Sequence, residues 1–105
     1  MLLLLLSACF TQRAATCSRT CERIYDECGI QRPGRTQDEL IDTCFQECNQ
    51  AMGTRGELGA YDPYERTSAD RAMELQNREQ AQIWAQCVEE TACEQLDDGY
   101  CAPIW

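Results

Sequence analysis

The chemistry open to this chain rests on sulfur. Nine of its 105 residues are cysteine and none is histidine. Without histidine the usual general base near neutral pH is missing. The commonest metal ligand is missing too, as is any Cys–His or Ser–His nucleophilic pair. Four uses of cysteine remain: thiol–disulfide exchange, thiolate metal binding, cross-linking and acylation. Exchange catalysts carry C-x-x-C at a helix start, where the attacking thiol's pKa falls. Here the repeated spacing is C-x3-C, at Cys17–Cys21 and Cys44–Cys48. On a helix that spacing puts both sulfurs of a motif on one face, aimed at another element. Structural zinc sites favour C-x2-C or include histidine. The expectation is therefore cross-linking, with no metal and no cofactor.

The carboxylates are less specific. Glu89, Glu90, Glu94, Asp97 and Asp98 form an acidic patch. The alternating spacing of a calcium loop is absent, so the patch reads as a solvated acidic face. Paired carboxylates for glycoside hydrolysis need a cleft, which a small stapled domain rarely offers. There is no glycine-rich phosphate loop and no nucleophile elbow. No catalysis is expected.

Composition narrows the setting. The net charge is −9, from 18 acids against nine bases, all of them arginine. That balance argues against nucleic acid and against electrostatic attraction to anionic lipid. At 105 residues the chain is one domain, of a size often stapled by bonds other than packing. Cysteine at this density reads as a disulfide scaffold, which persists in an oxidising compartment.

The cysteines need elements to hold them. In ATCSRTCERIYDEC, Cys17, Cys21, Ile24 and Cys28 recur at steps of four, three and four, one face of a helix. Arg19, Glu22, Arg23, Asp26 and Glu27 point elsewhere, with Arg23 and Glu27 one turn apart. Gly29 and Pro33-Gly34 end it. Thr36-Gln37-Asp38-Glu39 is a capping box. A second helix follows, with Leu40, Ile41, Cys44 and Cys48 on one face, and Gly53 stops it. In an antiparallel hairpin, facing residues are centred on one point of the chain. Cys17 and Cys48, Cys21 and Cys44, and Ile24 and Ile41 all share a centre between residues 32 and 33. The bridges Cys17–Cys48 and Cys21–Cys44 follow from this. Cys28 falls opposite Gln37 and needs a partner in the second half.

Residues 54–67 form a loop by their glycine and proline content, with Tyr61 and Tyr64 on either side of Asp62-Pro63. The tyrosines can pack onto the helices or form a recognition surface. Thr67-Ser68-Ala69-Asp70 resembles a helix start, and no breaker appears before about Thr91. The expected third helix docks through Ile83, Trp84, Cys87 and Val88. Asp97-Asp98-Gly99 is a turn signal, which closes a local loop through Cys93–Cys101 and leaves Cys28–Cys87. Cys28 with Cys93 or with Cys101 stays open as an alternative. The Pro103-Ile104-Trp105 segment is apolar and is expected to tuck against the core. The fold class is all-α: a disulfide-stapled antiparallel helical hairpin plus a third helix.

At the amino terminus, five leucines lead to Ser7, Ala8 and Cys9. The run is too short to span a bilayer and reads as a signal segment ahead of a cleavage site. Leu6-Ser7-Ala8-Cys9 resembles a bacterial lipobox. The resemblance implies that Cys9 receives a diacylglycerol and becomes the first residue of the mature protein. It also implies that residues 1–8 are a lipoprotein signal peptide, 9–13 a lipidated tether and 14–105 the cysteine-rich domain. By the sorting rule of enteric lipoproteins, Phe10 after Cys9 favours the outer membrane. The twin C-x3-C layout over residues 15–52 resembles the α-hairpinins and the small intermembrane-space helical proteins, an architecture shared by proteins of different function.

The expected role is an exported, lipid-anchored structural or interaction module of the bacterial envelope. It would meet the membrane through its anchor, with an envelope protein as a further expected partner, and no nucleic acid. A second reading is an inhibitory or ligand-binding mini-protein whose candidate residues are Arg32 and Arg35 of the Arg32-Pro33-Gly34-Arg35 turn, with Tyr61 and Tyr64. Thiol–disulfide exchange is a third.

Overall fold

The computed structural model describes residues 16–64 and 74–105. The leucine run, Cys9 and the helix start expected at Thr67–Asp70 lie outside the described residues. Among the described residues the regular structure is entirely helical. Helix α1 begins within residues 16–22 and continues as a π-helical turn over Arg23–Glu27. Helix α2 covers Gln37–Met52, α3 Arg78–Glu90 and α4 Cys93–Asp97.

α1 and α2 form the expected hairpin. Cys17–Cys48 and Cys21–Cys44 close it, with S–S distances of 2.07 and 2.06 Å. All four residues have no solvent exposure. Thr36 caps α2 as expected: its hydroxyl accepts from Glu39 N at 3.2 Å and donates to Glu39 Oε1 at 3.1 Å, which satisfies a backbone donor that the helix leaves over. In the π turn, Cys28 N donates to Arg23 O at 2.8 Å, five residues back. The wider turn slips the register of this face. Gln37 accordingly meets the end of α1 at Tyr25, donating Nε2 to Tyr25 O at 2.7 Å.

α3 is shorter than its pattern suggests. It begins at Arg78, and residues 74–76 are not helical. Asn77 starts it. Its Oδ1 accepts from Gln80 N at 3.1 Å, and Gln80 Oε1 accepts from Gln76 N at 2.9 Å. Asn77-x-x-Gln80 is thus a capping pair, and a competing start at Thr67–Asp70 hid it. Ala81, Trp84, Ala85, Cys87 and Val88 are buried, while Ile83 sits at the edge of that face.

The core gathers Ile24 and Tyr25 of α1, Leu40 of α2, Trp84 and Val88 of α3, and Leu96 of α4 around the bridges. Arginines from one helix complete the end of another. Neither α2 nor α3 has a basic residue in its last turn. Arg78 Nε donates to Met52 O at the end of α2, at 2.8 Å. Arg23 reaches the end of α3, donating Nε to Val88 O and Nη2 to Thr91 O, each at 2.7 Å. Each guanidinium meets orphan carbonyls and the negative end of a helix dipole. Arg23 also keeps its one-turn pair with Glu27, at 3.2 Å.

Candidate functional site

The second pair of bridges corrects the expected pairing. Cys28 is bonded to Cys93 and Cys87 to Cys101, in place of Cys28–Cys87 and Cys93–Cys101. The Asp97-Asp98-Gly99 signal is a real turn, but it ends a helix instead of closing a short loop. Asp98 N donates to Glu94 O, Gly99 N to Leu96 O and Tyr100 N to Gln95 O. Gly99 has φ 105°, which a glycine adopts freely. Residues 93–97 are therefore helical, and Leu96 is carried into the core with no exposure. That helix separates Cys93 from Cys101. Arg23 holds the end of α3 against α1, so the chain beyond Thr91 enters α4 beside Cys28. Cys101, with φ 60° and its N donating to Pro63 O at 2.8 Å, is turned back to Cys87.

The last four residues are tied down by three aromatic side chains. Tyr61 Oη donates to Ala102 O at 2.6 Å, Trp84 Nε1 to Pro103 O at 2.9 Å and Tyr25 Oη to Trp105 O at 2.8 Å. Each ring is buried, and a buried polar tip needs such a partner. Trp105 also packs edge-on against Trp84, with centroids 5.7 Å apart. Burial pushes the Tyr25 phenol up to about 12, against smaller opposing effects from Arg32, the hydrogen bond to Trp105 and Arg35. Burial also raises Tyr61, and the Asp62 carboxylate adds to it.

The candidate recognition residues do not form one surface. Tyr61 belongs to the core. Tyr64 is 44% exposed and donates its hydroxyl to Glu90 at 3.1 Å. Its phenol is raised by desolvation and by that carboxylate. Arg32 is half-buried and pairs with Asp97 of α4 at 3.5 Å. Arg35 is exposed and donates to the Thr43 hydroxyl. Among the described residues, no hydrogen bond or ion pair joins the two arginines to the two tyrosines. Within the same residues, no group of three or more acidic or cysteine side chains is arranged to hold a metal ion. No described helix is long and apolar enough to cross a membrane.

A hollow lies beside the Cys28–Cys93 bridge. Both residues are partly exposed and line this hollow of about 370 Å³ with Ile30, Gln31, Glu94 and Asp97. Sequence spacing left Cys28–Cys93 as one of the open alternatives and did not decide it, because the pairing spans 65 residues. No protein-family model, no curated protein and no solved structure matches the chain.

Proposed function

We propose that this protein is an exported lipoprotein of the bacterial envelope, anchored through Cys9, whose disulfide-stapled helical domain acts as a structural or interaction module without catalysis. The observation that carries this reading is the odd cysteine. Eight of the nine cysteines are consumed in four bridges. Each sulfur forms one such bond, so Cys9 has no cysteine left to pair with in its own chain. It stands directly after Leu6-Ser7-Ala8, where acylation would use its thiol. Four bridges also suit a protein that matures in an oxidising compartment.

The anchor would supply the membrane affinity that the acidic domain does not. Two or more acyl chains hold a protein stably at a bilayer, where a single chain does not. The acidic face would then keep the domain soluble and clear of anionic headgroups. The partner class is another envelope protein.

The test is the intact mass of the protein extracted from membranes, with and without reduction and alkylation. The expected chain starts at Cys9, is heavier by its acyl groups, and gains eight alkylation sites only after reduction. A retained Met1 would overturn the reading, as would a Cys9 that alkylates before reduction.

A further inference from the structure

The four bridges stand in different environments. Cys17, Cys21, Cys44, Cys48, Cys87 and Cys101 have no solvent exposure. Cys28 and Cys93 are both partly exposed and open onto the hollow at the junction of α1 and α4. Exchange requires a thiolate to reach a disulfide sulfur, so access controls its rate. The six buried sulfurs can be reached only after the core opens. Cys28 and Cys93 keep partial exposure in the native fold, and the hollow they line, about 370 Å³, exceeds the volume of a small thiol.

We propose that Cys28–Cys93 is a thiol-exchange site, opened in the native domain by a low-molecular-weight thiol of neutral or positive charge. The incoming thiolate bonds to one sulfur of the pair. The Cys28–Cys93 bond breaks, its electron pair leaves on the other sulfur, and that thiolate takes a proton from water. The product is a mixed disulfide on the protein. A second thiolate attacks that mixed disulfide, which leaves Cys28 and Cys93 reduced and two molecules of thiol oxidised to their own disulfide.

The charge preference comes from the rim. Glu94 and Asp97 line the hollow, and Arg32 offsets one of them through its pair with Asp97. The remaining negative field opposes an anionic thiolate carrying a second negative group and favours one carrying an ammonium.

Opening this bridge leaves the domain folded. α4 stays in place through fully buried Leu96, and Cys87–Cys101 still ties the chain on either side of it to one point. The hairpin keeps both of its own bridges. Arg23 continues to hold the end of α3. The two thiols therefore stay near each other, and the bond can close again when an oxidant is present. The site lies in the helical domain, so the inference stands or falls independently of the lipid anchor.

The test uses the full chain under native conditions after its free thiols are blocked. The protein is exposed to cysteamine, quenched with acid, labelled with a maleimide and mapped by peptide mass. Cys28 and Cys93 are expected to label at least about tenfold faster than the other six, in line with access control. Substituting both Cys28→Ser and Cys93→Ser is expected to abolish the fast phase and leave the slow phase unchanged. With mercaptoethanesulfonate, the fast phase, corrected for thiolate content, should run about threefold slower at low salt and converge on the cysteamine rate at about 0.5 M salt. Labelling of any buried pair as fast as Cys28 and Cys93, or all eight sulfurs opening in one cooperative step, would overturn the exchange site. Equal rates for the two thiols at low salt would overturn its charge preference.

Discussion

Removing residues 102–105 leaves all four bridges in place and should still cost the domain a large part of its stability. Three buried side chains, Tyr61, Trp84 and Tyr25, donate to the main-chain oxygens of Ala102, Pro103 and Trp105. Truncation lets water reach the freed tips, so each lost bond is worth its net value of about 1 kcal/mol, not the full desolvation penalty. Loss of the edge-on Trp84–Trp105 contact adds about 1 kcal/mol. Re-exposing apolar surface that Ala102, Pro103, Ile104 and Trp105 now cover, on the order of 100 Å², adds about 2–3 kcal/mol at roughly 25 cal/mol per Å². The expected loss is about 6 kcal/mol, comparable to the whole stability of a marginal domain, where about 5–15 kcal/mol is usual. The assay is guanidinium unfolding with the bridges closed, followed by far-ultraviolet circular dichroism, for the full and truncated chains. Tyr61→Phe is the graded control, since it removes one bond and keeps the segment, and should cost about 1–2 kcal/mol. A truncated chain within about 1 kcal/mol of the full one would refute the reasoning and leave the bridges as the main restraint.

Three further outcomes follow from single contacts. Arg23→Gln should lower stability by about 2–3 kcal/mol, because the guanidinium bonds to Val88 O and Thr91 O are lost together; the same denaturant titration reads it, and the amides of α3's last turn should exchange faster. Gly56→Ala places a Cβ 2.6 Å from Asn77 Nδ2 and should displace the cap of α3, costing about 1–2 kcal/mol, with loss of protection at the Gln80 amide as its signature. For pH, Tyr25 sits at about 12 in the fold against about 10 unfolded. Its contribution is fully present below pH 10, where both states hold the proton. Between pH 10 and 12 the unfolded chain gives up the proton first, so stability falls by as much as about 1.4 kcal/mol per pH unit; Tyr25→Phe should flatten that part of the curve.

The hairpin was legible in the sequence because its information is local. A four-three-four spacing, a capping box at Thr36 and a turn at Pro33-Gly34 place facing residues by helix geometry alone. Two disulfides centred on the same turn then have no competing partners at that distance. The all-helical class followed for the same reason, as did the docking of Trp84 and the covered position of the Pro103–Trp105 segment. The start of α3 was harder to read. Thr67–Asp70 and Asn77–Gln80 both carry cap-forming residues, and propensity does not rank them. Gly56 and Glu57, which pack and bond with the Asn77 side chain, lie about 20 residues away in the chain.

The remaining cysteines show the boundary between the two kinds of information. Eight cysteines in four bridges out of nine in the chain is a matter of counting, and the count made cross-linking readable from the sequence alone. Which of Cys87, Cys93 and Cys101 meets Cys28 depends on where α3 ends in space. That was decided by Arg23 reaching Val88 and Thr91, by Leu96 drawing residues 93–97 into a helix, and by Cys101 turning at positive φ toward Cys87. Each of these is a contact between segments far apart in sequence, whose strength depends on burial that does not exist until the chain has folded. Spacing along a helix determines what one element presents. Only the packed core decides which distant element receives it.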